Sequence, residues 1–174
     1  DKLEEAVKIE LVSDVPIGSF LSGGVDSPLI SFYAQQNSKG KFNTFSMGSD
    51  SNVHDESIQA KLYAQSMGAN HHSTYMTAEN SLEALNRAVE SAGEPFGDFS
   101  IIPTWQISKL AREKVTVVLS GDGGDELFFG YNRFQSVAKN HSLWEKPYWI
   151  RFLTRAIDKV VFNGKHFNDG LLIS

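Results

Sequence analysis

Residues 13–33 read SDVPIGSFLSGGVDSPLISFY, and a change of pattern inside this stretch decides the fold. Val15, Ile17, Phe20 and Leu21 are the apolar positions of a strand, expected over residues 11–21 as the chain leaves a short N-terminal helix. Ser22-Gly23-Gly24-Val25-Asp26-Ser27 then forms a turn. From Leu29 the apolar residues return at helical spacing, through Phe32 and Tyr33, until Asn37, Ser38 and Gly40 break the pattern. Pro28 is expected at the first helical position, with Ser27 as the cap, because the N–H that proline lacks is unpaired there in any case. Strand, glycine turn and helix together open a βαβ unit.

The same alternation recurs downstream. FNTFSMG at 42–48 reads as a second strand, and residues 55–68 as a helix with Asp55 and Glu56 in its positively poled first turn and Gly68 as its C-cap. Its apolar face is Ala60, Tyr63, Ala64 and Met67. Residues 71–76 give a third strand, and Thr77 caps a helix whose apolar stripe is Leu82, Leu85, Val89 and Ala92. A loop with Pro95, Gly97 and Pro103 leads into a helix over 104–113, and KVTVVL at 114–119 reads as a buried strand. Branched apolar strands alternating with helices specify an α/β fold with a Rossmann-like parallel sheet. Beyond Gly130 the pattern turns helical: Trp149, Phe152, Ala156, Ile157, Val160 and Val161 mark an amphipathic helix ending near Gly164. The aromatic residues there read as core or interface, and residues from 165 onward as a frayed tail or a truncation point.

Composition bounds what this fold does. At 174 residues the chain matches one domain, and 41 % hydrophobic with 21 % charged residues supports a packed core. The net charge of -5, with no dense Lys/Arg block, disfavours binding to nucleic acid or to a membrane surface. The absence of cysteine removes disulfides, thiolate metal sites and a thiol nucleophile, so any chemistry runs on oxygen and nitrogen groups. No stretch reaches the roughly 20 apolar residues of a membrane span, and the charged start DKLEEAVKIELV lacks a signal-peptide core. A cytoplasmic protein is the expectation.

In an open parallel sheet ligands bind outside the carboxyl ends of the strands, and two glycine-rich loops lie at such ends. In the first, residues 22–27, adjacent glycines let the backbone approach an anion, and the helix behind presents unpaired N–H groups. It matches neither the Walker A pattern nor the dinucleotide fingerprint. The acid Asp26 in this loop would repel a phosphate, so phosphate binding here predicts Mg²⁺ between the two. The second loop, Ser120-Gly121-Asp122-Gly123-Gly124-Asp125-Glu126, gathers three acids whose mutual repulsion calls for a cation. A glycine turn with a capping serine, and an acidic helix start, are the plain alternatives to these readings.

These residues resemble a known family. SGGVDS at 22–27 resembles the pyrophosphate loop of the N-type ATP pyrophosphatases, of the adenine nucleotide alpha hydrolase type, which cleave ATP to AMP and pyrophosphate. With SDVPIGSFLSGGVDS, EPFGDFSIIPTW at 94–105 and VVLSGDGGDELFFGY at 117–131, the chain resembles the synthetase domain of glutamine-hydrolysing asparagine synthetase. The resemblance implies an ATP-binding core over residues 1–134 and a helical extension over 135–174. It implies that Ser22, Gly23, Gly24, Asp26 and Ser27 hold the ATP phosphates and that Leu21 and Met47 contact the nucleotide. Ser120 and Gly121 match nucleotide contacts, Asp26 and Asp125 match Mg²⁺ ligands, and Asp122 matches an acid tied to the chemical steps. The implied reaction joins aspartate to ATP as β-aspartyl-AMP, after which ammonia displaces AMP to give asparagine.

Departures from the family qualify this reading. Pro28 stands where a small hydroxyl residue is usual, and neither the cysteine-bearing glutaminase domain, source of the ammonia, nor the basic residue that stabilises pyrophosphate is found. A piece of a larger enzyme is therefore expected. Two alternatives stay open: an enzyme that adenylates another carboxylate, in the manner of a β-lactam synthetase, and a nucleotide-binding module without turnover. His71-His72 reads as structural, since neighbours on a strand point to opposite faces. Residues 50–55 lack the glycine and glutamate of a calcium loop, and Glu94 and Asp98 are loop acids that could face the same crevice. An apolar surface on the C-terminal helix leaves a homodimer open.

Overall fold

A computed structural model describes residues 2–49, 55–94, 97–98, 100–131, 134, 146–150 and 152–153. The chain forms two compact units, Asp1–Asp122 and Gly123–Ser174. In the first unit, helix α1 (Lys2–Glu10) precedes strand β1 (Ile17–Phe20), helix α2 (Asp26–Gln36), strand β2 (Asn43–Ser49), helix α3 (Ser57–Met67) and strand β3 (Asn70–Met76). Helices α4 (Ala78–Ala92) and α5 (Ile101–Arg112) then lead to strand β4 (Val117–Leu119). The four strands pair in parallel in the order β3-β2-β1-β4. This is the α/β class expected from the sequence.

Alternation along the strands sorts the helices onto two faces. Ile17 and Leu119 join Val7, Ala34 and Phe42 in a cluster under α1 and α2. Phe20, Phe45 and Val118 pack with Ala111 and Val115 at the end of α5. Leu21 is covered by Ala60 and Ala64 of α3. A hydrogen bond of 2.8 Å between the buried hydroxyls of Ser19 and Ser31 ties β1 to α2. Gly18 lets the side chain of Phe45 lie against β1: a Cβ there would stand 2.7 Å from the Phe45 ring and 2.8 Å from the Asn43 carbonyl oxygen.

Several boundaries move from their expected places, each for a physical reason. β1 begins at Ile17 rather than residue 11, since Ser13 caps a turn by accepting from the Val15 N–H and donating to its carbonyl. Helix α2 starts at Asp26, so Pro28 is its third residue, not its first, and Ser27 lies inside the helix, not at its cap. Pro103 is likewise third in α5, where the sequence put it in a loop. The first turn of a helix has no internal acceptor for its N–H groups, so proline at the third position sacrifices no hydrogen bond. β4 is shorter than expected, and Val117 is 42 % exposed, because the strand lies at the sheet edge among the described residues.

Thr77 caps α4 as expected, in a reciprocal box with Asn80. The face α4 buries is Ala84 and Ala88, whereas Leu82 and Val89 are 68 % and 56 % exposed. Small residues allow α4 to sit close to its neighbours, and the larger apolar stripe is left to solvent. Gly68 ends α3 in the left-handed region, at φ 71°, as a C-cap glycine does.

The second unit contains α6 (Gly124–Phe128). Trp149 and Phe152 are exposed in this chain, so they are not core, as an interface role also allows, and Trp144 lies outside the described residues. The remainder of the C-terminal amphipathic helix and its end near Gly164 lie outside the described residues, as do residues 50–54 and Pro95.

Candidate functional site

The strand order places both glycine loops at one point. From β1 the chain moves outward to β2 and β3, then returns through α4 and α5 to the other side of β1 as β4. The order reverses between β1 and β4, and a crevice opens at the carboxyl ends of strands where such a reversal occurs. Loop 22–27 follows β1 and loop 120–122 follows β4, so both rim this crevice. They touch: a Cβ on Gly121 would stand 2.9 Å from the Ser27 amide nitrogen and 3.2 Å from the Asp26 Cβ. Only glycine permits that approach.

Within loop 22–27 the polar groups divide into two sets. The Ser22 amide donates to Ser27 Oγ at 2.8 Å, and the two serine hydroxyls share a further bond of 2.8 Å. The Gly24 amide donates to Ser22 Oγ at 3.3 Å, and the Gly23 amide to Glu56 Oε2 at 2.9 Å. Among the described residues the amides of Val25, Asp26 and Ser27 have no hydrogen-bond partner. They open the first turn of α2, at the positive end of its dipole. Three free donors behind a glycine pair, flanked by two hydroxyls, form a cradle suited to an anion.

On the second loop, Ser120 Oγ donates to Asp122 Oδ2 at 3.0 Å and accepts from the Asp122 amide at 3.4 Å, which holds the turn closed on itself. Asp125 lies in the second unit, in the first turn of α6, and Gly123 before it takes φ 89°. In the same unit Tyr131 donates its hydroxyl to Glu126 at 2.6 Å. Leu21, expected to contact a nucleotide, is 2 % exposed with its side chain in the α3 cluster and its N–H donated to the Phe45 carbonyl at 2.7 Å. Phe20 pairs with Phe45, so Met47 stands two residues beyond the paired end of β1, at the same carboxyl end of the sheet.

Other candidates have hydrogen-bond partners of their own. Asp98 accepts from the Ser100 amide at 2.9 Å, and that backbone bond holds its carboxyl below the ordinary range. His71 sits between the hydroxyls of Thr44 (3.0 Å to Nδ1) and Ser46 (3.1 Å to Nε2), while His72 stacks on Phe45 and meets Asn43 on the other side of the strand. The two imidazoles take opposite faces and form no pair. Among the described residues no three His, Cys, Asp or Glu side chains gather as a preformed metal cage. Of the expected metal-binding acids, Asp26 opens α2 in the first unit and Asp125 lies in the first turn of α6 in the second.

His71 carries a pH dependence. Burial, aided by the charges of His72 and Lys61, pushes its imidazole below the ordinary value of 6.5. The unfolded chain therefore binds the proton more readily than the folded one. Its contribution to stability is complete above about pH 6.5 and is lost as pH falls through the lowered folded value. The melting temperature should thus drop between pH 7 and pH 5, and His71→Gln should flatten part of that drop. An unchanged slope in the variant would assign the drop to other groups.

Glu56 is the residue that sequence reading missed here. It reads as a generic acid at a helix start, and nothing local reveals that its carboxylate reaches across to Gly23. The close approach is visible from the glycine, since a Cβ on Gly23 would lie 3.1 Å from the Glu56 Cβ and 3.3 Å from that of Gln59.

A parallel sheet with helices on both faces and paired glycine loops at its switch point defines an α/β domain of Rossmann-like fold. Its backbone is similar to that of the NH3-dependent NAD synthetase from Campylobacter jejuni, with a TM-score of 0.51, 16 % identity, and coverage of 75 % of this chain and 58 % of that one, a likeness of fold alone. The chain belongs to the asparagine synthase family, whose model matches residues 1–170. It is 42 % identical over 130 residues to a family member of Methanocaldococcus jannaschii, covering 74 % of this chain and 25 % of that protein. It is also 37 % identical over 135 residues to asparagine synthetase (glutamine-hydrolyzing) 1 of Bacillus subtilis, covering 78 % of this chain and 21 % of that one. The chain thus spans about a quarter of the length of the curated relatives it matches. No helix among the described residues is long and apolar enough to cross a membrane.

Proposed function

We propose that this chain is the ATP-binding part of an asparagine synthetase-like ligase that activates the side-chain carboxylate of aspartate and transfers ammonia to it. The carrying observation is the contact of Gly121 with Asp26 and Ser27, which joins two glycine loops around three free amides. The amides of Val25, Asp26 and Ser27, with the Ser22 and Ser27 hydroxyls, would bind ATP phosphates, and Asp26 would hold Mg²⁺. Bound there, Mg²⁺ supplies charge neutralisation for an anionic carboxylate approaching an anionic α-phosphate. The protein's share is positioning and preset donors at the phosphates: the loops are already folded, so little reorganisation is needed as pyrophosphate leaves. Asp122, restrained by Ser120, is the proposed acid for the later steps, in which ammonia displaces AMP. Glutamine hydrolysis elsewhere would supply that ammonia, and a cytoplasmic setting fits these substrates.

The position of Pro28 bears on the non-catalytic alternative. As the third residue of α2 it removes no N–H that the helix itself uses, while it brings to the loop neither the hydroxyl usual in the family nor an N–H of its own. Exchange of labelled pyrophosphate into ATP, dependent on Mg²⁺ and aspartate, tests the proposal in the complete gene product. Exchange with aspartate supports it. Exchange with another carboxylate alone would move the substrate assignment, and none at all would overturn the ligase reading.

A further inference from the structure

Glu56 precedes α3 and belongs to no motif, yet its carboxylate takes the amide of the first loop glycine at 2.9 Å. The loop's donors then fall into an ordered series. The amides of Ser22, Gly23 and Gly24 are each committed to a side chain, and the next three are free. Of the three side-chain acceptors, two are serine hydroxyls of the loop itself. Glu56 is the one that ties the loop to another element, and α3 beneath it is anchored through Ala60 and Ala64 on Leu21, the residue immediately before the loop. At the far end, Gly121 presses on Ser27. The loop is thus held at its glycine end by α3 and at its helix end by the chain after β4.

We propose that Glu56 is a positioning residue for phosphate binding: by accepting the Gly23 N–H it turns that end of the loop toward α3 and leaves the amides of Val25, Asp26 and Ser27 as the phosphate-facing set. This rests on the phosphate-loop reading above. A negative charge beside a polyphosphate site opposes anion binding, so Glu56 helps through its acceptor atom and not through its charge. The consequence separates two variants. Glu56→Gln keeps an acceptor oxygen and drops the charge, whereas Glu56→Ala loses both.

Titration of this chain with inorganic pyrophosphate, Mg²⁺·ATP and adenosine, the last lacking phosphate, tests the proposal. Glu56→Ala should bind pyrophosphate and Mg²⁺·ATP about tenfold more weakly, the scale of one hydrogen bond to a charged group. Adenosine affinity should stay unchanged, and Glu56→Gln should bind pyrophosphate at least as tightly as the unaltered chain. Parallel loss of adenosine and pyrophosphate binding would make Glu56 a general prop of the fold and overturn the proposal. Tighter pyrophosphate binding by Glu56→Ala would overturn it too, by showing that the carboxylate competes with phosphate. An unaltered chain that binds neither phosphate ligand would instead sink the phosphate-loop reading, and this inference with it.

Discussion

Asp26→Asn is expected to remove the Mg²⁺-dependent part of ATP binding, weakening affinity for Mg²⁺·ATP by about a hundredfold or more. Outer-shell partners of metal ligands already cost about 10- to 100-fold when altered, and a direct ligand costs at least as much. Asparagine has nearly the shape of aspartate, and Asp26 opens α2 without supplying a side-chain cap, so helix and loop should survive the change. A second arm isolates the electrostatics. In the presence of EDTA the acid faces bare phosphate and repels it, so the variant should bind metal-free ATP as well as the unaltered chain or better. Calorimetric titration with and without Mg²⁺ reads both arms. Equal affinity of the two proteins for Mg²⁺·ATP would remove Asp26 from the metal site.

Gly121→Ala should be nearly as damaging, although residue 121 offers no side chain to any ligand. Its Cβ would lie 2.9 Å from the Ser27 amide nitrogen and 3.2 Å from Ser27 Cα, both backbone atoms that cannot rotate away. The two loops must then separate. Displacement on the order of an ångström at a positioned site can cost about a hundredfold in rate. The neighbouring sheet should be spared, because the clash falls beyond the last paired residue of β4. The expected outcome is a melting temperature close to that of the unaltered chain, with nucleotide affinity and pyrophosphate exchange both strongly reduced. Retained affinity would show that the loops need not touch for the site to work.

What the sequence discloses and what it hides follow from the range of the interactions involved. Glycine turns, the Thr77 cap and the Gly68 C-cap are decided by residues within a few positions of one another, and each is found where the pattern places it. The fold class is legible for the same reason, as is the meeting of the two loops, through the rule for strand ends. Helix starts at Asp26 and Ile101 were displaced because a proline signals the first turn without saying which residue of that turn it occupies. The exposed stripe of α4 misleads because periodicity reveals that a helix has an apolar face, while the burial of Ala84 and Ala88 is decided by how closely α4 must approach its neighbours. Glu56 was hidden for a related reason: its partner Gly23 lies on a different βα unit, and a backbone N–H leaves no mark in the sequence.

The shortness of β4 has a consequence for how the protein comes to be competent. Its three residues close the sheet against β1 and carry Gly121 to a loop formed near the start of the same unit. Every earlier strand pairs with one that precedes it by a single helical crossover, but this pairing spans nearly the whole unit and therefore carries the largest loop-closure entropy. A three-residue strand, at the sheet edge among the described residues, is also the kind of element that opens first in local unfolding. Docking of β4 would then be the last event of folding and the first to reverse. A ligand gripped by both loops would clasp that edge shut, so that occupancy, and not the sheet alone, governs how long the unit withstands hydrogen exchange and proteolysis.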